Sequence, residues 1–236
     1  MAYRYLNEMR MDELTSPDKY ILFLPIGISE GHGKHLPIGT DTIQTEYVTE
    51  KVAKVLDRES IIAPVLNYGH CKATEHLPGT FSISFDSLRF TVRDILKAAL
   101  NQGFNKIVII SGHSGKSHMM ALRLAAEEVL ESSDAEILLL SDYDFAYELK
   151  GEDIPENDGH GGQIETSRVL AIREDLVGDE RPEKKIEYPR FKILVDYSDY
   201  LSEGMRGDSK ASSKEEGKRT NEYVIEGIVK EIEKTF

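Results

Sequence analysis

Three short stretches of this chain concentrate residues that bind metals or move protons. The first holds Glu30, Gly31 and His32, followed by Asp41. A Glu and a His two apart in an irregular loop can face one centre, because no helical rotation separates them. Two carboxylates with an imidazole make a hard-to-borderline ligand set that suits Zn, Mn or Fe. Glycines 27, 31, 33 and 39 permit tight turns beside a ligand, and Pro37 stiffens the path from His35 to Asp41. Taken alone, the Glu-x-His pair is equally read as loop charge and helix capping. The second stretch is His113, just beyond an apolar run, with His118 five residues later. A lone His at a strand end is also a common structural hydrogen-bonder. The third is Asp158-Gly-His160-Gly161-Gly162 with Glu165 after it. It reads either as an acid–base site that admits substrate close to the backbone or as a Gly-rich helix entry with a capping Asp. Together the three point to a site: the seven histidines all lie in or beside Gly- or Pro-containing loops.

The elements that must position these residues alternate. Strands are expected at Tyr20–Ile26, Ser60–Leu66, Lys106–Ser111 and Ala135–Ser141, with a short late one around Lys192–Leu194. Helices are expected at Thr42–Leu56, with Ile43, Tyr47, Val52, Val55 and Leu56 on one face, and from a cap at Asp86, with Leu88, Val92, Ile95, Leu96 and Ala99 inward. Ser117–Leu130, Gln163–Arg173 and Ser213–Lys234 complete the set. The alternation predicts an α/β fold with a mostly parallel sheet covered on both faces, within a single domain over 1–236. In such a sheet ligands sit beyond the carboxyl ends of the strands, near a switch point. The first two His-bearing loops follow the first and third predicted strands, so both emerge at that edge.

Composition narrows the function. Hydrophobic residues make up 40% of the 236, which suits a buried core. A net charge of −13 disfavours nucleic acid as a partner. Apolar runs such as Ile107–Ile110 are too short to cross a membrane, and the N-terminus lacks the apolar segment of a signal peptide. The single cysteine, Cys71, excludes an internal disulfide and suits a reducing cytoplasm; it reads as an inert thiol.

The stretch LPIGISEGHGKHLPIGTDT resembles the signature of the creatininase family. EHLPGTFSIS, SGHSGK, HGGQIETS and GMRGDSKASSKEEG also match that family's pattern in order and spacing, and the likeness runs from about Met11 to the C-terminus. The resemblance implies a flavodoxin-like three-layer α/β/α fold, a homo-oligomer (commonly a hexamer) and a binuclear centre of divalent ions. Glu30 and His113 would hold one ion, His32 the other, and Asp41 would bridge them. In creatininase itself a Glu follows the metal-binding His by two residues; here that position is Gly115, and Glu165 is the candidate replacement. Such ions lower the pKa of bound water toward ~7 and polarise a carbonyl. His160 matches the family's catalytic histidine and would protonate the leaving nitrogen. The backbone at Gly161 and Gly162 could offer N–H donors to developing charge. The loop with His76, Pro78, Gly79 and Thr80 resembles a substrate-side loop, though subunit packing explains it equally well. Specificity would lie in loops 68–84 and 143–159, where Tyr143, Phe145 and Tyr147 either line a pocket or pack beneath the loop.

The implied activity is hydrolysis of a C–N bond in a small molecule, a cyclic amide or a formamide. An archaeal-type formamide hydrolase of flavin and deazaflavin synthesis is favoured over creatinine hydrolysis because of Gly115. Hydrolytic ring opening of a keto-cyclitol, or a non-enzymatic protein with a structural metal, are the alternatives.

Overall fold

The computed structural model of the chain describes residues 3–151 and 154–236. Residues 152 and 153 of the loop expected to carry specificity lie outside it. Five strands form one sheet: β1 (Tyr3–Tyr5), β2 (Ile21–Ile26), β3 (Ser60–Ile62), β4 (Lys106–Ser111) and β5 (Glu136–Ser141). Their order is β1-β3-β2-β4-β5, and every neighbouring pair is parallel. Six helices accompany them: α1 (Thr40–Val55), α2 (Phe85–Asn101), α3 (Lys116–Leu130), α4 (Tyr143–Ala146), α5 (Gln163–Arg173) and α6 (Lys214–Thr235). No helix among the described residues is long and apolar enough to cross a membrane.

Strand periodicity sends alternate side chains to opposite faces, and both faces here are apolar. Ile21 and Phe23 of β2 and Val108 and Ile110 of β4 pack with Val48 and Val52 of α1 and Val224, Ile228 and Ile232 of α6. Leu22, Leu24, Ile107 and Ile109 pack with Leu88, Val92 and Leu96 of α2 and Leu122, Ala125 and Val129 of α3. The result is three layers. From β2 the chain passes to β3 on one side and then returns to β4 on the other. The reversal opens a crevice between the carboxyl ends of β2 and β4, where an open α/β sheet binds ligands.

Several expected elements shift for identifiable reasons. The strand at Ser60–Leu66 pairs only through Ile62, because Pro64 has no N–H to donate; Leu66 rejoins by a single bridge to Ile26. Ser84, not Asp86, caps α2, its Oγ accepting from the Ser87 N–H at 3.1 Å. On α1 the buried face is partly polar, including Gln44, Thr45 and Thr49, while Val55 is 61% exposed. Lys192–Leu194 forms no strand. The segment leaves Phe191, Ile193 and Val195 exposed and pairs with neither sheet. The late strands are instead β6 (Glu183–Lys184) and β7 (Gly207–Asp208), an antiparallel pair. The short edge strand β1 was not anticipated.

Candidate metal centre and substrate cavity

The loop after β2, the first turn of α1, the loop after β4 and the start of α5 meet at the crevice. Glu30 is fixed through its backbone, its N–H donating to the Ile38 carbonyl at 3.0 Å. Asp41 stands in the first turn of α1, where the helix dipole favours a carboxylate. Its placement depends on Gly112, since a Cβ there would lie 2.2 Å from the Asp41 carbonyl oxygen. His113 follows β4 directly, and Glu165 lies in the first turn of α5.

Two groups of three ligand atoms share Asp41. His113 Nδ1 lies 3.0 Å from Glu30 Oε2 and 3.3 Å from Asp41 Oδ2. His32 Nε2 lies 3.1 Å from Asp41 Oδ1 and 3.6 Å from Glu165 Oε2. Asp41 thus turns one oxygen to each group. Within each group the three ligand atoms lie within 4.8 Å of one another. His32 Nδ1 lies 3.0 Å from the Glu30 carbonyl, which can only accept, so Nδ1 carries the proton and Nε2 is left to ligate.

These residues fit a divalent cation. Glu30 Oε2, His32 Nε2 and Asp41 Oδ2 are buried and make no hydrogen bond, an arrangement that is costly unless something charged meets them. Protonation behaviour shows the same demand for positive charge. Burial alone would lower the His32 pKa, but the Asp41 and Glu165 charges overcome it and raise it to about 10. Burial likewise opposes protonation of His113, and the Glu30 charge, with Asp41, lifts it well above its usual value. Burial disfavours the charged Glu30, yet the imidazoles, His113 foremost, hold its pKa well below the normal range. Protons on the imidazoles stand in for a cation, and metal binding would release them.

The surroundings brace the ligands. Thr74 Oγ1 donates to Glu30 Oε1. His118 is fully buried on α3. Its Nδ1 accepts from the His70 N–H at 3.3 Å, so its Nε2–H donates to Ser111 Oγ at 3.2 Å. That hydroxyl donates to the His113 carbonyl at 2.8 Å and holds the His113 loop. Burial pushes the His118 pKa down to about 3, which keeps it neutral for this task. Neither Thr74 nor the role of His118 was foreseen: a threonine in an irregular loop carries no signal, and a helical histidine reads as surface.

The groups border a cavity of about 540 Å³, lined by Glu30, His113, His160, Glu165, Tyr188 and Arg206 among others. His160 stacks on His32, ring centroids 4.1 Å apart. Its Nε2 lies 2.8 Å from the Gly31 carbonyl, so Nε2 bears the proton and Nδ1 is the exchangeable nitrogen. The Gly161 N–H donates to Glu165 Oε2 at 2.5 Å and the Gly162 N–H to the Gly159 carbonyl at 2.8 Å, so both are engaged within their loop. His76 borders a second cavity, which shares Lys72 and Tyr197 with the first, and its Nε2 lies 3.3 Å from the Leu201 carbonyl. Tyr147 reaches the main cavity, whereas Tyr143 is buried in the core and Phe145 packs against it. Burial, reinforced by the Glu30 charge, pushes the Cys71 thiol up to about 12, as expected of an inert cysteine.

The family model "Creatininase", described as creatinine amidohydrolase, matches residues 6–232. The chain belongs to the creatininase family. It is accordingly an amidohydrolase, a metal-dependent hydrolase acting on C–N bonds. Creatinine amidohydrolase of Pseudomonas putida is 28% identical over 239 residues, covering 92% of this chain and 90% of that protein. The mycofactocin precursor peptide peptidase of Mycolicibacterium smegmatis is 30% identical over 165 residues, 68% of this chain and 61% of the relative. The solved structure "Creatininase Mn" superimposes with a TM-score of 0.88 at 26% identity, covering 98% of each chain. In this creatininase-family chain Gly115 precedes α3 and could not carry a side chain as the site stands: a Cβ there would lie 2.4 Å from His113 Nε2.

Proposed function

We propose that this chain hydrolyses the C–N bond of a small cyclic amide or formamide at a centre of two divalent ions. The observation that carries the reading is Asp41, whose two oxygens face two separate ligand groups. Glu30, Asp41 and His113 would hold one ion, and His32, Asp41 and Glu165 the other. Ions held there supply an activated water and polarise the scissile carbonyl.

The protein's own residues complete the reaction. Hydrolysis forms a C–O bond, breaks the C–N bond and moves one proton from water to nitrogen. His160 is the carrier of that proton: with Nε2 committed to the Gly31 carbonyl, Nδ1 accepts it and returns it to the leaving nitrogen. An amine leaves readily only when protonated, so the reaction needs this transfer as well as the attack. Stacking on His32 fixes the plane of the His160 ring beside the ligands.

Within this class we favour a formamide of a pyrimidine precursor in flavin and deazaflavin synthesis. Gly115 supports that preference, since it departs from creatininase itself. The test is metal analysis of the purified protein, followed by assays of formamides, creatinine, short peptides and keto-cyclitols with and without chelator. Chelator-sensitive release of formate is expected. A protein that retains no metal, or an Asp41→Ala variant with undiminished turnover, would remove the reading; turnover of keto-cyclitols alone would replace the substrate class.

A further inference from the structure

The cavity that borders the acidic ligand groups also has a basic wall. Arg206, half-buried, lines it together with Tyr188. The Arg206 Nη2 donates to the Asp158 carbonyl at a long 3.4 Å, and its guanidinium lies 5.8 Å from the Tyr188 ring centroid. Gly159 makes room for it, since a Cβ there would come within 2.7 Å of the guanidinium. Lys150 Nζ donates to the same Asp158 carbonyl at 2.7 Å and lies 3.8 Å from the centroid of Tyr147, another cavity residue.

The Asp158 carboxylate is spent on the backbone rather than on an ion pair with either cation. Its Oδ1 accepts from the Gln163 N–H at 2.7 Å and its Oδ2 from the Ile164 N–H at 3.2 Å, capping α5. Among the described residues no carboxylate forms an ion pair with Arg206 or Lys150. Two cations therefore share one neutral acceptor. Burial lowers the Lys150 pKa and the Arg206 charge adds to that, while the Asp158 charge, with Glu156 and Glu165, opposes it. Arg206 thus brings to the cavity a positive charge that has no ion pair among the described residues, with the Lys150 ammonium beside it on the same carbonyl, in a chain of net charge −13.

We propose that Arg206 and Lys150 receive an anionic group of the substrate, a carboxylate or a phosphate carried away from the scissile C–N bond. A guanidinium fork matches either anion, and an ammonium adds a point charge. Such a receptor orients the substrate: its anion is drawn to the basic wall rather than to the ions, leaving the carbonyl to face them. This inference names the substrate class for the amidohydrolase function proposed above and rests on it.

Calorimetric titration of the metal-loaded protein with benzoate, phenyl phosphate and neutral benzamide tests it. At least one anion is expected to bind roughly tenfold or more tightly than benzamide, the scale of one lost charge-assisted hydrogen bond. Tighter benzoate binding assigns a carboxylate, tighter phenyl phosphate a phosphate. Arg206→Gln should erase the preference, Arg206→Lys should retain part of it, and Lys150→Gln should weaken it; circular dichroism verifies folding of each. Equal binding of all three probes to the wild type, or a preference that survives Arg206→Gln because the anion sits on the metal, overturns the proposal. In parallel, 4-formamidobenzoate should exceed its methyl ester in kcat/KM, and the ratio should collapse in Arg206→Gln. An Arg206-dependent anion preference in a protein that hydrolyses no formamide would sustain the receptor and remove the formamide reading instead.

Discussion

Helix α5 carries Glu165 and, three residues on, Arg168, and both are buried. Arg168 finds its counter-charge in the chain itself: Nη2 lies 2.6 Å from Asp142 Oδ2, and Nε donates to Asn221 Oδ1 at 2.8 Å. Glu165 faces His32 in a group with Asp41, and Glu30 stands in the adjoining group. Both clusters leave buried polar atoms without hydrogen bonds, Arg168 Nη1 and Asp142 Oδ1 included. Unsatisfied atoms alone therefore do not separate a site from a scaffold. Net charge does: the Arg168–Asp142 pair sums to zero, whereas three carboxylates surrounded by imidazoles are neutralised only by bound protons or by a cation. One cluster is complete at folding and the other is completed by what it binds.

Substitutions can break this contrast. Asp41→Ala should have the largest effect, a loss of kcat/KM of at least about 10³ with both ions lost, because it removes the shared ligand of each group. Arg168→Met should do the opposite: a destabilisation of about 3–5 kcal/mol from the stranded Asp142 carboxylate, read from urea midpoints, with metal content retained. Adding Asp142→Leu should restore most of that loss. If Arg168→Met empties the metal centre without destabilising the fold, the division between the two clusters is false.

Two smaller effects would sharpen it. Thr74→Val should weaken metal affinity roughly 10–100-fold in chelator competition, because Glu30 loses the hydroxyl that orients it. His35 offers a neutral control. Its Nε2 donates to the Gly161 carbonyl at 3.1 Å, and burial lowers its pKa to about 4. The unfolded chain binds that proton first, so the stability His35 contributes is intact above about pH 6.5 and is lost as pH falls toward about 4. The slope should be at most about 1.4 kcal/mol per pH unit. His35→Gln should flatten this limb of a pH–stability profile; an unchanged limb would mean that another group titrates there.

Legibility in the sequence followed the same physical lines. Glu30, His32, Asp41 and His113 were readable together because the loops after β2 and β4 emerge at one edge of the sheet once the alternation of elements is recognised, whereas Glu165 joined the candidate ligands only through the family resemblance. The bounds of α5 agree to the residue. The inward face of α1 was misjudged because Gln44, Thr45 and Thr49 are buried beside the site, and a search for apolar periodicity turns the helix toward Val55 instead. The basic wall stayed hidden because Lys150, Asp158 and Arg206 come together through irregular loops that have no period to read.

Gly115 constrains how such a centre can change over time. With His113 oriented as it is, the residue two places later can have no side chain, and the proposed remaining carboxylate, Glu165, lies in α5, about fifty positions downstream. A carboxylate supplied at 115 and this imidazole orientation exclude each other. If the proposed ligand set holds, Gly115→Glu and Glu165→Gln would be epistatic: the first alone would displace His113, the second alone would remove the Glu165 carboxylate, and passage from one arrangement to the other would need a coordinated change that also turns His113.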